Sequence, residues 1–200
     1  MSYVENRVYF RTKTPEDAAK LVSDLRGADI TGRIADFTFN RFVRMPHELS
    51  FDTPVLAEVA ADFLTEHPEG SAKEGEIILD RPLLELGRRA LQNEARYGAR
   101  TAEAWCEKHW GTPLDAMDVM ITTDENRVML AFQSSGSVPR NAARAMRRLY
   151  GTALVHWLWC DEKEGQCNRA VFDLKEAGFF TDDLIVPVWH ALDVTGYDDI

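Results

Sequence analysis

The chain has 200 residues, of which 45% are apolar and 10% aromatic, so its composition is that of a folded protein and not of an unfolded polypeptide. A compact chain of this size hides roughly 70% of the surface that its extended form exposes, and it needs no disulfide or metal merely to stay folded. The net charge of −10, from 23 basic and 33 acidic residues, argues against a general binder of phosphate backbones, whose affinity comes from clustered cations.

Nothing in the sequence predicts a membrane-spanning or exported protein. The longest apolar run, around residues 153–160, is far shorter than the roughly 20 residues of a membrane helix. The first residues lack a basic stretch followed by an apolar one, and an odd number of cysteines, three, fits a reducing compartment. We therefore expect a cytoplasmic protein. We also expect that it needs no cofactor.

The first 42 residues predict a strand, a helix and a second strand. Residues 6–13 alternate between apolar and polar positions, as a half-buried strand does. Thr14 is a favourable N-cap, Pro15 suits the first helical turn, and Gly27 can end the helix. Residues 36–42 alternate again and predict the second strand.

Helical signals then fill about 60 residues. Thr53 followed by Pro54 marks the start of one helix, Asp80 can cap a second, and Thr101 can cap a third. We expect an all-helical insertion at about residues 53–110, between the second and third strands.

Period-two alternation returns at Met117 and predicts a hairpin whose turn lies at residues 124–126. Ser137 is predicted to cap a helix with an apolar stripe, and residues 153–160 predict a strand rich in valine and tryptophan. This order of elements indicates an α+β fold, specifically a ferredoxin-like sandwich with a split βαβ arrangement and helices on one face of an antiparallel sheet.

We expect the ferredoxin-like domain to cover residues 1–176, and residues 177–200 to form an acidic C-terminal extension that packs on it. The strand at 153–160 is apolar on both faces, so its second face needs a cover. We favour a cover from residues 168–174 and 184–192, which have strand character. The alternative is an exposed aromatic platform for a partner.

The negative charge is concentrated near the end of the chain, where residues 161–200 contain ten acids and three bases. A solvated face is the simpler interpretation, and a surface for a basic partner is the alternative. The acidic interaction candidates are Asp161, Glu162, Asp182, Asp183, Asp198 and Asp199.

A basic stripe is predicted on the helix that follows Ser137. Four arginines share the side of this helix that is opposite its apolar residues, and such a stripe can grip phosphate or an acidic protein surface. An ordinary solvated face is the simpler interpretation here too. The basic interaction candidates are Arg140, Arg144, Arg147 and Arg148.

Cysteine and histidine residues offer two further hypotheses. Cys106 and His109 lie three residues apart on a predicted helix, and with Cys160, Cys167 and the nearby His156 they contain enough ligands for a tetrahedral zinc site. The spacing lacks the two close pairs of a typical structural zinc site, so ordinary buried thiols are the simpler interpretation. A Cys106–His109 nucleophile pair oriented by Asp115 is the other hypothesis, but no oxyanion donor or cleft is identifiable.

Several motifs occur in the order found in a known family. Residues 36–49 contain Asp-Phe-Thr-Phe-Asn and then Met-Pro-His-Glu-Leu. Asn93, Tyr97-Gly98 and Trp105 precede His-Trp-Gly-Thr at 109–112 with Asp-Ala at 115–116, and Phe132 precedes Ser134, Ser135 and Pro139. Asp161-Glu162 is followed by Gly165 and Asn168. The chain resembles the YubB-like, ferredoxin-fold family of phage and plasmid proteins, whose function is unknown.

The resemblance covers about residues 5–175 and implies a ferredoxin-like domain carried by mobile genetic elements, with no assigned activity. Two family positions after Gly-Thr are Pro113 and Leu114 here, which indicates a different ligand if those positions bind one. The helix end at His109–Thr112 is interpreted as structural, with the rings of Trp105 and Trp110 docked on the sheet and Gly111 in a positive-φ conformation. The structural-motif candidates are Trp105, His109, Trp110, Gly111 and Thr112.

We therefore expect a phage- or plasmid-borne accessory protein of the host cytoplasm, which is not an enzyme and acts by stoichiometric binding to a host protein or ribonucleoprotein. The more specific hypothesis is an inhibitor of a host defence nuclease or CRISPR complex, whose acidic surface imitates nucleic acid. One alternative is a zinc-binding or Cys/His-dependent enzyme. Another is a nucleic-acid-binding domain that uses the arginine stripe and exposed sheet aromatics, although the net charge disfavours direct nucleic-acid binding.

Overall fold

A computed structural model describes residues 3–70, 79–151, 153–161, 166–171 and 180–186. It shows a mixed α+β fold, as the sequence predicts, and the chain divides into two compact units. The sheet unit consists of Met1–Arg44 and His109–Ile200, and the helical unit consists of Met45–Lys108.

The elements in chain order are β1 (Tyr3–Arg11), α1 (Pro15–Leu25), β2 (Gly27–Ala28), β3 (Ile34–Ala35), a 3₁₀ turn (Phe39–Arg41), a second 3₁₀ turn (His47–Leu49), α2 (Pro54–Glu66), α3 (Arg81–Tyr97), α4 (Ala102–Trp110), β4 (Met117–Asp124), β5 (Arg127–Ser135), α5 (Arg140–Tyr150), β6 (Leu154–Asp161), β7 (Gln166–Val171) and β8 (Phe180–Val186). Six strands form one sheet in the order β4-β5-β1-β6-β7-β8, and every neighbouring pair in it is antiparallel.

Most predicted elements are confirmed. The first helix begins after Thr14, whose hydroxyl accepts a hydrogen bond of 3.1 Å from the backbone N–H of Asp17. Asp80 caps α3 by accepting from the N–H of Leu83 at 3.0 Å. The β4–β5 hairpin turns where expected, with Glu125 at a φ of 49°.

The predicted strand at residues 36–42 is wrong. Strand pairing there is limited to the two residues of β3, and the chain then enters a 3₁₀ turn at Phe39–Arg41. The side chain of Thr38 accepts from the N–H of Asn40 and so stabilises this turn. Because Phe37 and Phe39 are both fully buried, their alternation reflects a packed turn and not a strand with one exposed face.

The predicted cap at Ser137 is also wrong. Helix α5 begins at Arg140 after Pro139, which provides no side-chain cap. The hydroxyl of Ser137 instead donates a hydrogen bond to the carbonyl of Gly111. The serine is therefore used to hold the loop before α5 against the chain that follows α4.

Of the segments predicted to cover the second sheet face, the described residues, 168–171 and 184–186, lie in the plane of the sheet. Strand β7 pairs with β6, and β8 pairs with β7, so the described residues in these segments extend the sheet beyond β6. Tyr9 belongs to the second face and is only 1% exposed, while Trp157 and Trp159 are buried on the first face. An open aromatic platform is therefore not present at these positions.

The core of the sheet unit is aromatic. Phe132 on β5 lies 5.0 to 5.8 Å, between ring centroids, from three other rings, those of Phe37, Phe39 and Trp157. Beneath them, the buried amide of Asn6 donates to the Val4 carbonyl and the Ser134 hydroxyl and accepts from the indole N–H of Trp157. These bonds link β1, β5 and β6 from within the core.

The helical unit is built on small residues. Ala57, Ala61 and Ala90 form the buried contact between α2 and α3. A Cβ atom at Gly87 would lie 2.6 Å from the backbone carbonyl of Ala60, so only glycine allows the two helices to approach this closely. The approach is reinforced by Arg100, which bonds Asp62 at 2.5 Å and Glu94 at 2.8 Å.

Candidate functional site

The arginine face of α5 is the most strongly charged surface built on a described helix. We define it as Arg140, Arg144, Arg147 and Arg148, of which all but Arg147 are exposed and Arg147 is half-buried. The opposite side of the helix is buried through Ala142, Ala143 and Met146. The core contacts of α5 therefore fix the direction in which the arginines project, while Leu149 on the same helix stays exposed.

The two ends of α5 are anchored in the sheet unit. At its start, a Cβ at Gly111 would lie 3.1 Å from the backbone nitrogen of Arg140, so the chain after α4 passes close to the first turn. At its end, the ring of Tyr150 packs edge-on against Phe10 and Phe42, each with centroids 6.1 Å apart. Burial and the nearby charge of Asp24 raise the pKa of the Tyr150 phenol, so it stays neutral.

The predicted structural motif at the end of α4 is largely buried. Trp110 is fully buried, stacks obliquely on Phe39 and donates its indole N–H to the Val43 carbonyl at 2.8 Å. Gly111 has a φ of 90°, the positive value predicted for it. Thr112 is buried and donates its hydroxyl to the Ser135 carbonyl at 2.8 Å.

Two members of the hypothetical Cys106–His109–Asp115 group, Cys106 and Asp115, make structural contacts. The thiol of Cys106 is buried and donates to the sulfur of Met45 at 3.7 Å, while Trp105 beside it is also buried. Asp115 accepts from the Thr38 hydroxyl at 2.5 Å and from the N–H groups of Phe39 and Ala116. Its carboxylate is thus engaged in holding the 3₁₀ turn.

Burial raises the pKa of Asp115, against the lowering effect of the three hydrogen bonds that it accepts. Water solvates the charge of this buried carboxylate poorly, so its hydrogen bonds to the protein must hold it in place. Its partners are a hydroxyl and two backbone amides, which fits an anchor for the turn.

The zinc hypothesis gains no support from the described residues. No group of three or more His, Cys, Asp or Glu side chains that could hold a metal occurs among them. Cys160 is disulfide-bonded, and Cys167 is the residue opposite it in the β6–β7 register. The expectation of an ordinary buried thiol therefore fits Cys106 and is wrong for Cys160. The side chain of His156 lies outside the described part.

The acidic candidates are only partly placed. Asp161 ends β6, and Asp182 and Asp183 are consecutive residues of β8. Asp182 lies opposite Arg169 in the β7–β8 register. Glu162, Asp198 and Asp199 lie outside the described residues.

Sequence reasoning missed a cluster that holds the second 3₁₀ turn to α3. Asn93 donates its side-chain amide to the Glu48 carbonyl, and Arg89 donates to the same carbonyl and to that of Ser50. Hydrogen bonds from its own backbone N–H and from the Tyr97 side chain lower the pKa of the Glu48 carboxyl. Glu48, Asn93 and Tyr97 all belong to the motifs of the resemblance, so their joint occurrence was the available signal.

Comparisons with known proteins return no match: no family model, no curated protein and no solved structure is similar to this chain. Within the described ranges, no helix combines the length and the apolar character needed to span a bilayer.

Proposed function

We propose that this protein acts by stoichiometric binding to another macromolecule and that the arginine face of α5 is its contact surface for an anionic partner. The observation that carries the proposal is the projection of four cations from a helix whose opposite side is locked into the core. Guanidinium groups form paired hydrogen bonds with carboxylate and phosphate, so this face suits an anion of either kind.

Recovery of a partner from host lysate tests the proposal. Tagged wild-type chain is expected to retain a component at about one equivalent, and the double variant R144E/R148E is expected to lose it. The double variant R81E/R88E changes two exposed arginines of α3 by the same charge and is expected to keep it. Retention that does not differ between the two variants contradicts the proposed surface.

The acidic segment 161–200 supports a second candidate, an inhibitor that imitates nucleic acid and occupies the cationic channel of a host nuclease or CRISPR complex. The supporting observation is its charge, ten acids against three bases. Two of these acids stand next to each other on β8. This candidate predicts binding that weakens steeply with salt. Binding unchanged by substituting Asn at Asp182, Asp183, Asp198 and Asp199 contradicts it.

We further propose a ferredoxin-like arrangement with a helical insertion at about residues 53–110, in a protein of phage or plasmid origin that works in the host cytoplasm. The strand order β4-β5-β1-β6, with α5 connecting β5 to β6, supports the arrangement. The motif resemblance supports the origin. A crystal structure in which β1 is not flanked by β5 and β6 would contradict the fold assignment.

A further inference from the structure

Helix α2 has large apolar residues on its exposed surface as well as apolar residues on its buried side. The buried side consists of Ala57, Ala60, Ala61 and Leu64. Away from it, Val55 is 70% exposed, Val59 is 55% exposed and Leu56 is 46% exposed. No other element in the described part of the chain exposes three large apolar side chains. Because a helix that is apolar around most of its surface is normally buried, the exposed residues of α2 indicate a surface for a partner.

The spacing of these residues suits the packing of another helix. Leu56, Val59 and Phe63 are separated by three and four residues, as the a and d positions of a coiled coil are. Val55 lies beside Val59, four residues before it, and widens the row. Phe63 is half-buried, and its ring centroid lies 4.9 Å from that of His67. We call these four residues, 55, 56, 59 and 63, the apolar stripe of α2. Their spacing is that of the anchors through which helices recognise each other.

Acidic residues border the apolar stripe. Helix α2 contains Glu58, Asp62 and Glu66 and has no basic residue. Asp62 is paired with Arg100. Asp52 and Glu66 are exposed and lie beyond the two ends of the stripe. An element that covers the stripe is therefore favoured by charge if it is apolar along its centre and basic along its edges.

A second copy of this chain lacks that charge. If two α2 helices packed antiparallel about Val59, Glu66 of each copy would lie opposite Asp52 of the other, so like charges would meet at both ends. Parallel packing would place each acid of α2 beside its own counterpart. Each copy also carries a net charge of −10, which opposes self-association. The charges therefore favour a basic partner over a second copy.

We propose that the apolar stripe of α2 binds a basic amphipathic helix of a partner protein. Apolar residues of the partner cover the stripe, and its Lys or Arg residues lie near Asp52 and Glu66. Since α2 has 13 residues and is about 20 Å long, three to four turns of the partner helix are enough to cover it. The stripe belongs to the helical unit and is bordered by acids, whereas α5 presents arginines. It is therefore a second binding surface, and the proposal does not depend on the function proposed for α5.

Fluorescence anisotropy with the full chain and two labelled peptides tests the inference. Both peptides are helical, about 18 residues long, and have leucine at the heptad positions a and d. One has lysine at positions e and g, and the other has glutamate there. Wild type is expected to bind the lysine peptide about tenfold more tightly, because the glutamates would face Asp52 and Glu66. The variant D52K/E66K should reverse this order.

Variants of the apolar side chains locate the contact. L56Q/V59Q removes two anchors of the stripe and is expected to weaken binding of the lysine peptide about tenfold or more. The matched control I34Q/M120Q changes two exposed apolar side chains of the sheet unit and should leave the affinity unchanged. All four side chains are at least 46% exposed, so the variants are expected to fold, which circular dichroism checks.

Three binding results overturn the inference: no binding of the lysine peptide at several hundred micromolar chain, equal binding by L56Q/V59Q and wild type, or a glutamate peptide bound as tightly as the lysine peptide. Sedimentation of the chain alone adds a fourth test, and a monomer is expected. A dimer that L56Q/V59Q converts to monomer would show that a second copy covers the stripe, which also overturns the inference. The proposed function fails separately, because its test depends on Arg144 and Arg148.

Discussion

The hydroxyl of Thr38 donates a hydrogen bond of 2.5 Å to the carboxylate of Asp115, although the two residues are 77 positions apart in the chain. The same carboxylate accepts from the N–H of Phe39 at 2.7 Å. Through these two bonds, the segment that follows α4 holds the first 3₁₀ turn, and with it the buried rings of Phe37 and Phe39.

Asp115 makes the stability of the sheet unit depend on pH. Its pKa is raised in the folded state, so the folded chain binds the proton more tightly than the unfolded chain. The contribution of this group to the free energy of unfolding is complete below the ordinary pKa of aspartate, about 3.9, and is lost as pH rises through the raised value. Denaturant unfolding measured from pH 4 to pH 7 should show this decline.

Asp115→Asn is the matched variant. Both backbone donors bond Oδ1, which asparagine keeps, and its amide nitrogen can donate to the Thr38 hydroxyl in place of accepting from it. We expect the free energy of unfolding of the variant to increase relative to that of wild type as pH rises across that range, because only the wild type loses stability there. A constant difference at every pH would show that Asp115 does not titrate in the folded state above its ordinary value.

The failure of the strand prediction at residues 36–42 follows from this contact. Alternation of apolar residues is a local pattern, and Phe37 and Phe39 satisfy it. What stabilises the turn is a hydrogen-bond acceptor 76 residues away from the N–H of Phe39. No local rule detects such a partner.

Gly87 tests the packing of the helical unit. Alanine is the better helix former by about 1 kcal/mol, so a surface Gly→Ala change would stabilise. Here the added Cβ would meet the carbonyl carbon and oxygen of Ala60 at 2.6 Å, and backbone cannot move aside cheaply. Overpacking should win, and Gly87→Ala should lower the free energy of unfolding by about 1–2 kcal/mol in urea titrations.

Gln92→Ala on the exposed side of the same helix is the control and should change the free energy of unfolding by less than about 0.5 kcal/mol. A gain in stability for Gly87→Ala would mean that α2 and α3 are further apart than described.

Asn6 is the polar centre of the sheet core. Leucine has the same number and branching of side-chain heavy atoms but no polar atom, so it leaves the indole N–H of Trp157 and the Val4 carbonyl without Asn6 as a partner. Each buried polar group left unsatisfied costs about 1–3 kcal/mol, so we expect Asn6→Leu to lower the free energy of unfolding by about 2–4 kcal/mol. Tryptophan fluorescence during urea unfolding provides the measurement.

Gln133→Leu provides the comparison, because Gln133 is half-buried on β5 and its amide donates to Glu5 on the second sheet face. A cost below about 1 kcal/mol is expected there. Similar costs for the two variants would indicate that the buried amide of Asn6 has no special role.

The arginine face was predictable from the sequence and the cysteine chemistry was not, for a physical reason. A helical stripe depends on a spacing of three to four residues within one element, so periodicity alone places Arg140, Arg144, Arg147 and Arg148 together. The state of Cys160 depends on strand register. Pairing of β6 with β7 sets Cys160 opposite Cys167, and a shift of one residue would have separated them.

Thiol titration checks this difference between the cysteines. Cys106 is a reduced thiol with 1% exposure, whereas Cys160 is disulfide-bonded. A thiol reagent should therefore find almost nothing in the native, unreduced protein, one equivalent after unfolding in guanidinium, and three after reduction, the full complement of the chain. Cys106→Ser should remove the single equivalent. Since a native disulfide contributes about 2–4 kcal/mol, reduction should also lower the melting temperature. Three equivalents in unfolded protein that was never reduced would contradict this prediction. They would show that Cys160 and Cys167, which lie opposite each other in the strand register, are two separate thiols.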